Sequence, residues 1–363
     1  MAIGLRRIAL SYVMLASACL DVAEERAVLD ARVGRADGNG VTLLVRDGLA
    51  AVTALGPSGG ALWMGAPSAL LELSFAPGAA PLTLDFDNVM PGSLLSGPAG
   101  AVTALGGMPG RRSRWQVQPP AEGGAVSLVF GPPDAAQARP FRFLAFADVQ
   151  EAIGRVQEVY RRMNQVPAAR FVIMAGDLTQ QGSQGELLRF KDELAGLELP
   201  LYATLGNHEL GDRPDGYQLH FGRGNAHFGF AGVQFTLLDS ASATIAPTVY
   251  DWLTGWLTEG RRAVHVVAMH ICPIDPIGPR NGSFASRAEA SKLLAMLADG
   301  AVDLTLYGHV HSYYSFSNAG IPAYISGGGG AIPERFDGVG RHFLSIDVDP
   351  VTGIQRVDLV RVD

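Results

Sequence analysis

The chain has 363 residues, enough for two domains or one large one, and 48% of them are hydrophobic, which is ample for a core. Only 17% are charged and 45 are glycine, so turns and small packed elements should be common. A net charge of −7 offers no basic face for a long nucleic acid and argues against one as a partner.

At the amino terminus Arg6 and Arg7 precede an apolar run over 8–18, and Cys19 follows directly. A basic start, a short apolar run and small residues at a cut site describe an export signal over 1–19. The run is too short to span a bilayer, which takes roughly 20 residues. Leu15, Ala16, Ser17, Ala18 and Cys19 resemble the lipobox of bacterial lipoproteins, in which the cysteine is acylated. The alternative is an ordinary cleaved signal ending near Ala18. The expected address is therefore exported, periplasmic or cell-surface, with membrane contact through a lipid anchor. With Cys19 lipidated, Cys272 has no partner for a disulfide and reads as a small buried thiol.

Residues 20–39 are expected to be a linker or a short helix. Residues 40–135 are rich in Val, Leu, Thr, Gly and Pro without long amphipathic runs, which reads as a small all-β domain. The hexapeptide Ala-Val-Thr-Ala-Leu-Gly occurs at 51–56 and again at 101–106. Its first copy, continuing through Trp63, looks like a blade motif of bacterial sensor β-propellers. About 100 residues cannot close a propeller, which takes at least about four blades. A sandwich-like domain and a propeller remnant both fit.

The Pro-rich stretch from Pro132 to Pro140 marks a boundary, and 140–363 forms the second domain. Five apolar runs there read as buried strands: 141–147, 171–175, 201–205, 264–269 and 304–307. Helical periodicity over 153–163 and 184–195 separates the first three, giving β-α-β-α-β. A hairpin over 228–239 and helices over 248–257 and 285–297 follow. Further strands are expected near 323–326, 343–348 and 357–362.

Each of the five strands ends in a polar island: Asp148-Val149-Gln150, Gly176-Asp177, Gly206-Asn207-His208-Glu209, His270, and Gly308-His309-Val310-His311. Ligands of open α/β sheets bind just beyond such strand ends. Carboxylate, amide and imidazole donors converging there suit Mn, Fe, Zn, Co or Mg and do not choose among them. Two ions about 3.5–4 Å apart need a shared ligand, which a carboxylate can supply.

These islands, in this order, resemble the metallophosphoesterase or calcineurin-like superfamily, whose pattern is D-x-H, GD, GNH[DE], a lone His, and GHxH. The wording leans to its purple acid phosphatase and class III phosphodiesterase side. The resemblance spans roughly 141–330 and implies a four-layer α/β/β/α sandwich behind the small β domain. It implies two divalent or trivalent metal ions, Mn, Fe or Zn. Asp148, Gln150, Asp177 and His311 would hold one; Asp177, Asn207, His270 and His309 would hold the other. A metal-bound hydroxide would attack phosphorus, and His208 would contact the phosphoryl oxygen or protonate the leaving group. The implied substrate is a small phosphate ester, mono or di. The alternative is a non-catalytic surface lipoprotein, with a structural metal site and a partner-binding β domain.

Two positions depart from the pattern. Gln150 stands where most members have His, and Gln180 where purple acid phosphatases carry a tyrosinate, so their colour should be absent. Of the remaining candidates, His220, His227, His265 and His342 match no motif and read as surface or core residues; the alternative for His220 or His227 is to reach substrate from the loop after Asn207. Tyr313 and Tyr314 line the pocket or pack in the core. Gly327–Gly330 reads as a tight turn, and Arg280 as a solvated loop residue or a phosphate contact.

Overall fold

The computed structural model describes residues 20–362, apart from 39, 58, 107, 212, 279–281 and 335–338. The expected export signal, Cys19 and Arg280 lie outside the described residues. No described helix is long and apolar enough to cross a membrane.

A helix over 20–30 (α1) opens the described chain. Ten strands follow: β1 (Arg35–Gly38), β2 (Val41–Val45), β3 (Ala50–Gly56), β4 (Gly59–Met64), β5 (Ala69–Phe75), β6 (Leu82–Asp87), β7 (Leu94–Ser96), β8 (Val102–Ala104), β9 (Arg112–Val117) and β10 (Gly124–Gly131). They form two five-stranded sheets, β1-β2-β5-β10-β7 and β3-β4-β6-β9-β8. Alternation explains the packing. In β5, Leu71, Leu73 and Phe75 are buried while Glu72 and Ser74 face outward. They meet Leu84 and Phe86 of the other sheet, and Phe86 stacks on Phe130 with ring centres 4.0 Å apart. This is a sandwich. The two hexapeptide copies lie in β3 and around β8, at opposite edges of one sheet, and not in successive propeller blades.

The second part of the chain alternates strands and helices: β11 (Phe141–Phe146), α2 (Gln157–Asn164), β12 (Ala169–Ala175), α3 (Gln184–Glu193), β13 (Leu201–Thr204), α4 (Gly216–Phe221), β14 (Ala226–Phe230), β15 (Val233–Leu238), α5 (Pro247–Gly260), β16 (Val264–Met269), α6 (Arg287–Asp299), β17 (Leu304–Tyr307), β18 (Tyr313–Asn318), β19 (Ile321–Ser326), β20 (His342–Asp349) and β21 (Gly353–Arg361). Local chemistry starts the helices. Ser183 and Glu186 form a capping box on α3, Pro247 opens α5, and the Ser286 hydroxyl caps α6. The helix expected over 153–163 starts late. Its first turns, Gln150–Arg155, are a 3-10 segment, because Gln150 has φ 47°, outside any right-handed helix.

The strands make two sheets, β13-β12-β11-β20-β21 and β14-β15-β16-β17-β19-β18. Their inner faces meet in an aromatic core, where Phe235 stands edge-on to Phe143 at 5.2 Å and to Phe171 at 5.3 Å. Val159, Leu187 and Phe190 cover the outside of the first sheet, and Leu253, Leu293 and Leu297 that of the second. The result is the four-layer α/β/β/α order.

The stretch expected as a linker or a short helix, 20–39, holds α1 and β1, and α1 is fastened to the α/β part. Ala23 and Ala27 join the core beneath α5. Arg26 makes a buried two-pronged contact with Asp239 at 2.6 and 3.1 Å, and a third bond to Ser242 at 3.0 Å. Asp30 is buried and accepts from the backbone N–H groups of Gly224 and Asn225 and from the side chains of Gln218 and Asn225. The buried helix residues thus have polar anchors that composition alone did not reveal.

Candidate metal centre

Five strand ends build the site. In the first sheet β11, β12 and β13 run parallel, so their carboxyl ends deliver Asp148, Asp177 and Asn207 side by side. In the second, parallel β16 and β17 deliver His270, His309 and His311. Two glycines let the sheets close on one another. A Cβ on Gly308 would meet Ala147 Cβ at 2.5 Å and the Ala175 carbonyl at 2.9 Å. A Cβ on Gly176, which has φ 85°, would meet Gly206 N at 2.7 Å and His270 Nδ1 at 2.8 Å.

All eight expected site residues come together except that His208 stands at the rim, with its side chain 27% exposed. Ligand atoms fall into two groups, each within 4.8 Å: Asp177, His270 and His309, and Asp148, Asp177 and His311. Asp177 belongs to both. Its Oδ1 accepts from His208 N–H at 3.0 Å, and its Oδ2 lies 3.2 Å from His270 Nε2 and accepts from Gln150 Nε2 at 2.7 Å. Asn207 Oδ1 sits between His270 Nε2 at 3.0 Å and His309 Nδ1 at 2.9 Å. Asp148 accepts from the His309 backbone N–H at 3.0 and 3.2 Å and lies 3.6 Å from His311 Nε2.

The hydrogen bonds assign the protons. His270 Nδ1 donates to the Ala175 carbonyl at 2.8 Å, and its Nε2 faces the oxygens of Asn207 and Asp177. Nε2 is thus the ring nitrogen turned toward the cluster. Burial pushes His270 down, but Asp177 outweighs it and raises the group to about 9. Burial likewise pushes Asp177 up, while His270 and His208 hold it well below the usual carboxylate range. Asp148 is raised well above that range, by burial first; His270 opposes the rise and Asp177 adds to it. His270 Nε2 thus stands among oxygen and nitrogen donors where a cation fits. His311 Nδ1 donates to the Ile332 carbonyl at 2.8 Å, which leaves Nε2 as its electron-pair donor, and that atom accepts from Gln150 Nε2 at 3.0 Å. The donor set suits metal ions.

The backbone is also shaped for the site. Asp148, Gln150, Asp177 and His309 all have left-handed backbones, with φ of 65°, 47°, 54° and 70°. Glu209 ties two of the loops together. Its carboxylate accepts from Gly206 N–H at 2.8 Å, Thr179 N–H at 2.9 Å and Thr179 Oγ1 at 2.8 Å. Burial and the Asp177 charge raise it to about 7 against those bonds.

Residues 141–313 match the sequence profile of the calcineurin-like phosphoesterases. This domain belongs to the metallophosphoesterase superfamily. The purple acid phosphatase PPD1 of yellow lupin (Lupinus luteus) shares its fold, with a TM-score of 0.54 at 12% identity over 82% of this chain and 70% of that one. The structure titled PhoD aligns at a TM-score of 0.49 and 12% identity over 78% of this chain and 82% of that one. A search of curated proteins gives no match.

Several candidates stand elsewhere in the metallophosphoesterase domain. His227 and His265 share the Thr236 hydroxyl on the outer face of the second sheet, at 2.8 Å each, and neither is among the ligand groups. His220 sits on α4 against Phe221, and His342 is buried against Tyr313. Tyr313 packs with the core between the sheets and Tyr314 with the core under α5 and α6. Cys272 is buried, its thiol raised to about 12 by burial, and donates to the Gly282 carbonyl. Gln180 contributes its carbonyl, which accepts from His208 Nδ1 at 2.6 Å and leaves His208 Nε2 facing the site.

The run Gly327–Gly330 was expected as a tight turn, but close approach demands glycine at 327, 328 and 329, and only Gly330 has a positive φ. A Cβ on Gly327 would lie 2.2 Å from the Val310 carbonyl and 2.9 Å from Asp148 Oδ2, and one on Gly329 2.5 Å from the Ala147 carbonyl. Sequence reading gave Glu209 and Thr179 no role. The Glu209 signal is its place in the Asn207 island; Thr179 gives none.

Proposed function

We propose that the chain hydrolyses small phosphate esters with two metal ions held by the strand-end cluster. The observation that carries this is Asp177, one buried carboxylate shared by two groups of ligand atoms. Asp148, Gln150, Asp177 and His311 would hold one ion, and Asp177, Asn207, His270 and His309 the other. Bound there, such a pair supplies Lewis acidity, neutralises charge on phosphoryl oxygens and acidifies water. Asp177 and Asp148 set the distance between the two positions, and Glu209 fixes the loops that carry them. His208, oriented by the Gln180 carbonyl and with Nε2 toward the site, contacts a phosphoryl oxygen or gives a proton to the leaving group. The protein acts outside the cytoplasm, held by a lipid on Cys19; a Cys19→Ala variant that stayed in the membrane fraction would remove that part of the reading.

The test strips the protein of metal and adds back Mn, Zn, Fe or Mg with p-nitrophenyl phosphate and its bis ester. Activity restored by metal supports the reading, and the preferred ester separates phosphatase from phosphodiesterase. Asp177→Asn should abolish turnover and lower the bound ions below two per chain. Silence with both esters under every metal, or wild-type rates in that variant, would overturn it. Silence with less than one ion bound would favour a non-catalytic surface protein.

A further inference from the structure

A second polar cleft lies away from the metal centre, and none of the eight site residues lines it. It measures about 680 Å³ and opens between α5, the start of β14 and the turn holding Asp47 and Leu49 of the sandwich. Pockets of this size accommodate small organic ligands. Two of the four tryptophans of the chain line it, Trp252 and Trp256, with ring centres 6.1 Å apart and both half-buried.

Two polar side chains that line this cleft carry atoms without a hydrogen-bond partner. The His227 side chain is only 6% exposed, and its Nδ1 is engaged with Thr236 Oγ1. Its Nε2 is buried and has no hydrogen-bond partner in either tautomer; the nearest carboxylate, that of Glu259, is 4.0 Å away. Arg223 lies over Trp252 at 4.5 Å and donates from Nη1 to the Asp47 carbonyl at 2.8 Å, while its Nε is buried without a partner. A buried polar atom without a partner costs about 1–3 kcal/mol, so the cleft wall holds polar groups that the fold leaves unmatched. Asp251 and Glu259 add exposed carboxylates at the mouth.

We propose that this cleft binds a neutral saccharide. The mixture of groups selects that class. Carboxylates at Asp47, Asp251 and Glu259 repel a phosphate or an acidic sugar, and the Arg223 guanidinium weakens their pull on an amine. Hydroxyl groups both donate and accept, so they satisfy Arg223, His227 and the carboxylates together. Indole surfaces take the apolar C–H face of a sugar ring. The cleft spans the sandwich and the phosphoesterase domain, so a bound saccharide touches both.

The test titrates the whole protein with cellobiose, maltose and diacetylchitobiose, followed by calorimetry and tryptophan emission. At least one of them is expected to bind saturably with a shift in emission. Trp252→Ala and Asp251→Ala should each weaken that binding by about tenfold or more while p-nitrophenyl phosphate hydrolysis stays at the wild-type level. Asp251 is exposed, so its variant keeps the fold and decides the matter if the tryptophan variant does not. No saturable binding of any of the three at about 10 mM overturns the proposal. So does binding that Asp251→Ala leaves unchanged, or a cleft that takes AMP or spermidine and no saccharide.

Discussion

Replacing Arg26 with Ala should destabilise the whole protein, although Arg26 lies in a stretch whose sequence reads as a linker. Its guanidinium and Asp239 are 4% and 3% exposed, and two hydrogen bonds join them. Removing one partner of such a pair leaves the other charge buried and uncompensated, which costs about 3–5 kcal/mol. For a chain this long each kcal/mol lowers the melting temperature by about 2 °C, so a fall of about 6–10 °C is expected by scanning calorimetry. The companion Arg26→Met with Asp239→Asn removes both charges and should recover most of the loss. The effect should also reach the metal centre. Asp239 precedes Ser240, whose hydroxyl accepts from Ile271 N–H at 2.8 Å, next to His270. An Arg26→Ala variant melting within about 2 °C of the parent, or a double variant no better than the single, would refute the reasoning.

His208→Gln should lower kcat by about 10²–10⁴-fold while the ion content stays at two per chain; a parallel loss of metal would recast His208 as a structural residue. Gln150→His should tighten the weaker ion by about tenfold or more in calorimetry, since the present amide donates to Asp177 and His311 and must turn to offer its oxygen; unchanged affinity would mean that Gln150 is already an adequate ligand. The stability contributed by His227 and His265 should fall on acidification below pH 6.5, against the gain as Glu209 takes up its proton. Burial depresses His227 to about 4 and His265 to about 3, so in this range the unfolded chain takes up protons that the folded one refuses. The stability is fully present above 6.5 and is lost as pH falls toward 4. A depression from 6.5 to about 4 corresponds to roughly 3 kcal/mol. Urea titrations at pH 7 and 4.5 should show a smaller difference in His265→Gln than in the parent; equal slopes would remove these histidines from the account.

The part of the fold that repeats β-α-β was legible because its strands are short and buried on both faces. The run 264–269 matches β16 and 304–307 matches β17, end to end. The ligand islands were legible for a related reason: a polar residue directly after a buried strand has few uses other than a turn or a site. What escaped depends on distance through space. Nothing in 20–30 announces that Arg26 meets Asp239, 213 positions later. The glycine run was assigned the wrong duty because a sequence shows that a residue lacks a Cβ, and not what stands where the Cβ would be. His227 follows Asn207 closely enough in the chain to make substrate contact an alternative, yet β14 turns it to the outer face of the sheet, where it is a core residue.

Four residues of the metal cluster hold left-handed backbones, a conformation that costs a non-glycine residue roughly 1–2 kcal/mol. The surrounding loops enforce that geometry with hydrogen bonds of their own, such as Val149 N–H to the Asp177 carbonyl at 2.9 Å. The positions of the donor atoms are thus set by bonds among the loops themselves. A change to one of those bonds should move a ligand atom even where the changed residue touches no ion. The emptied protein should keep its shape and be ready to take up whichever suitable metal its surroundings supply.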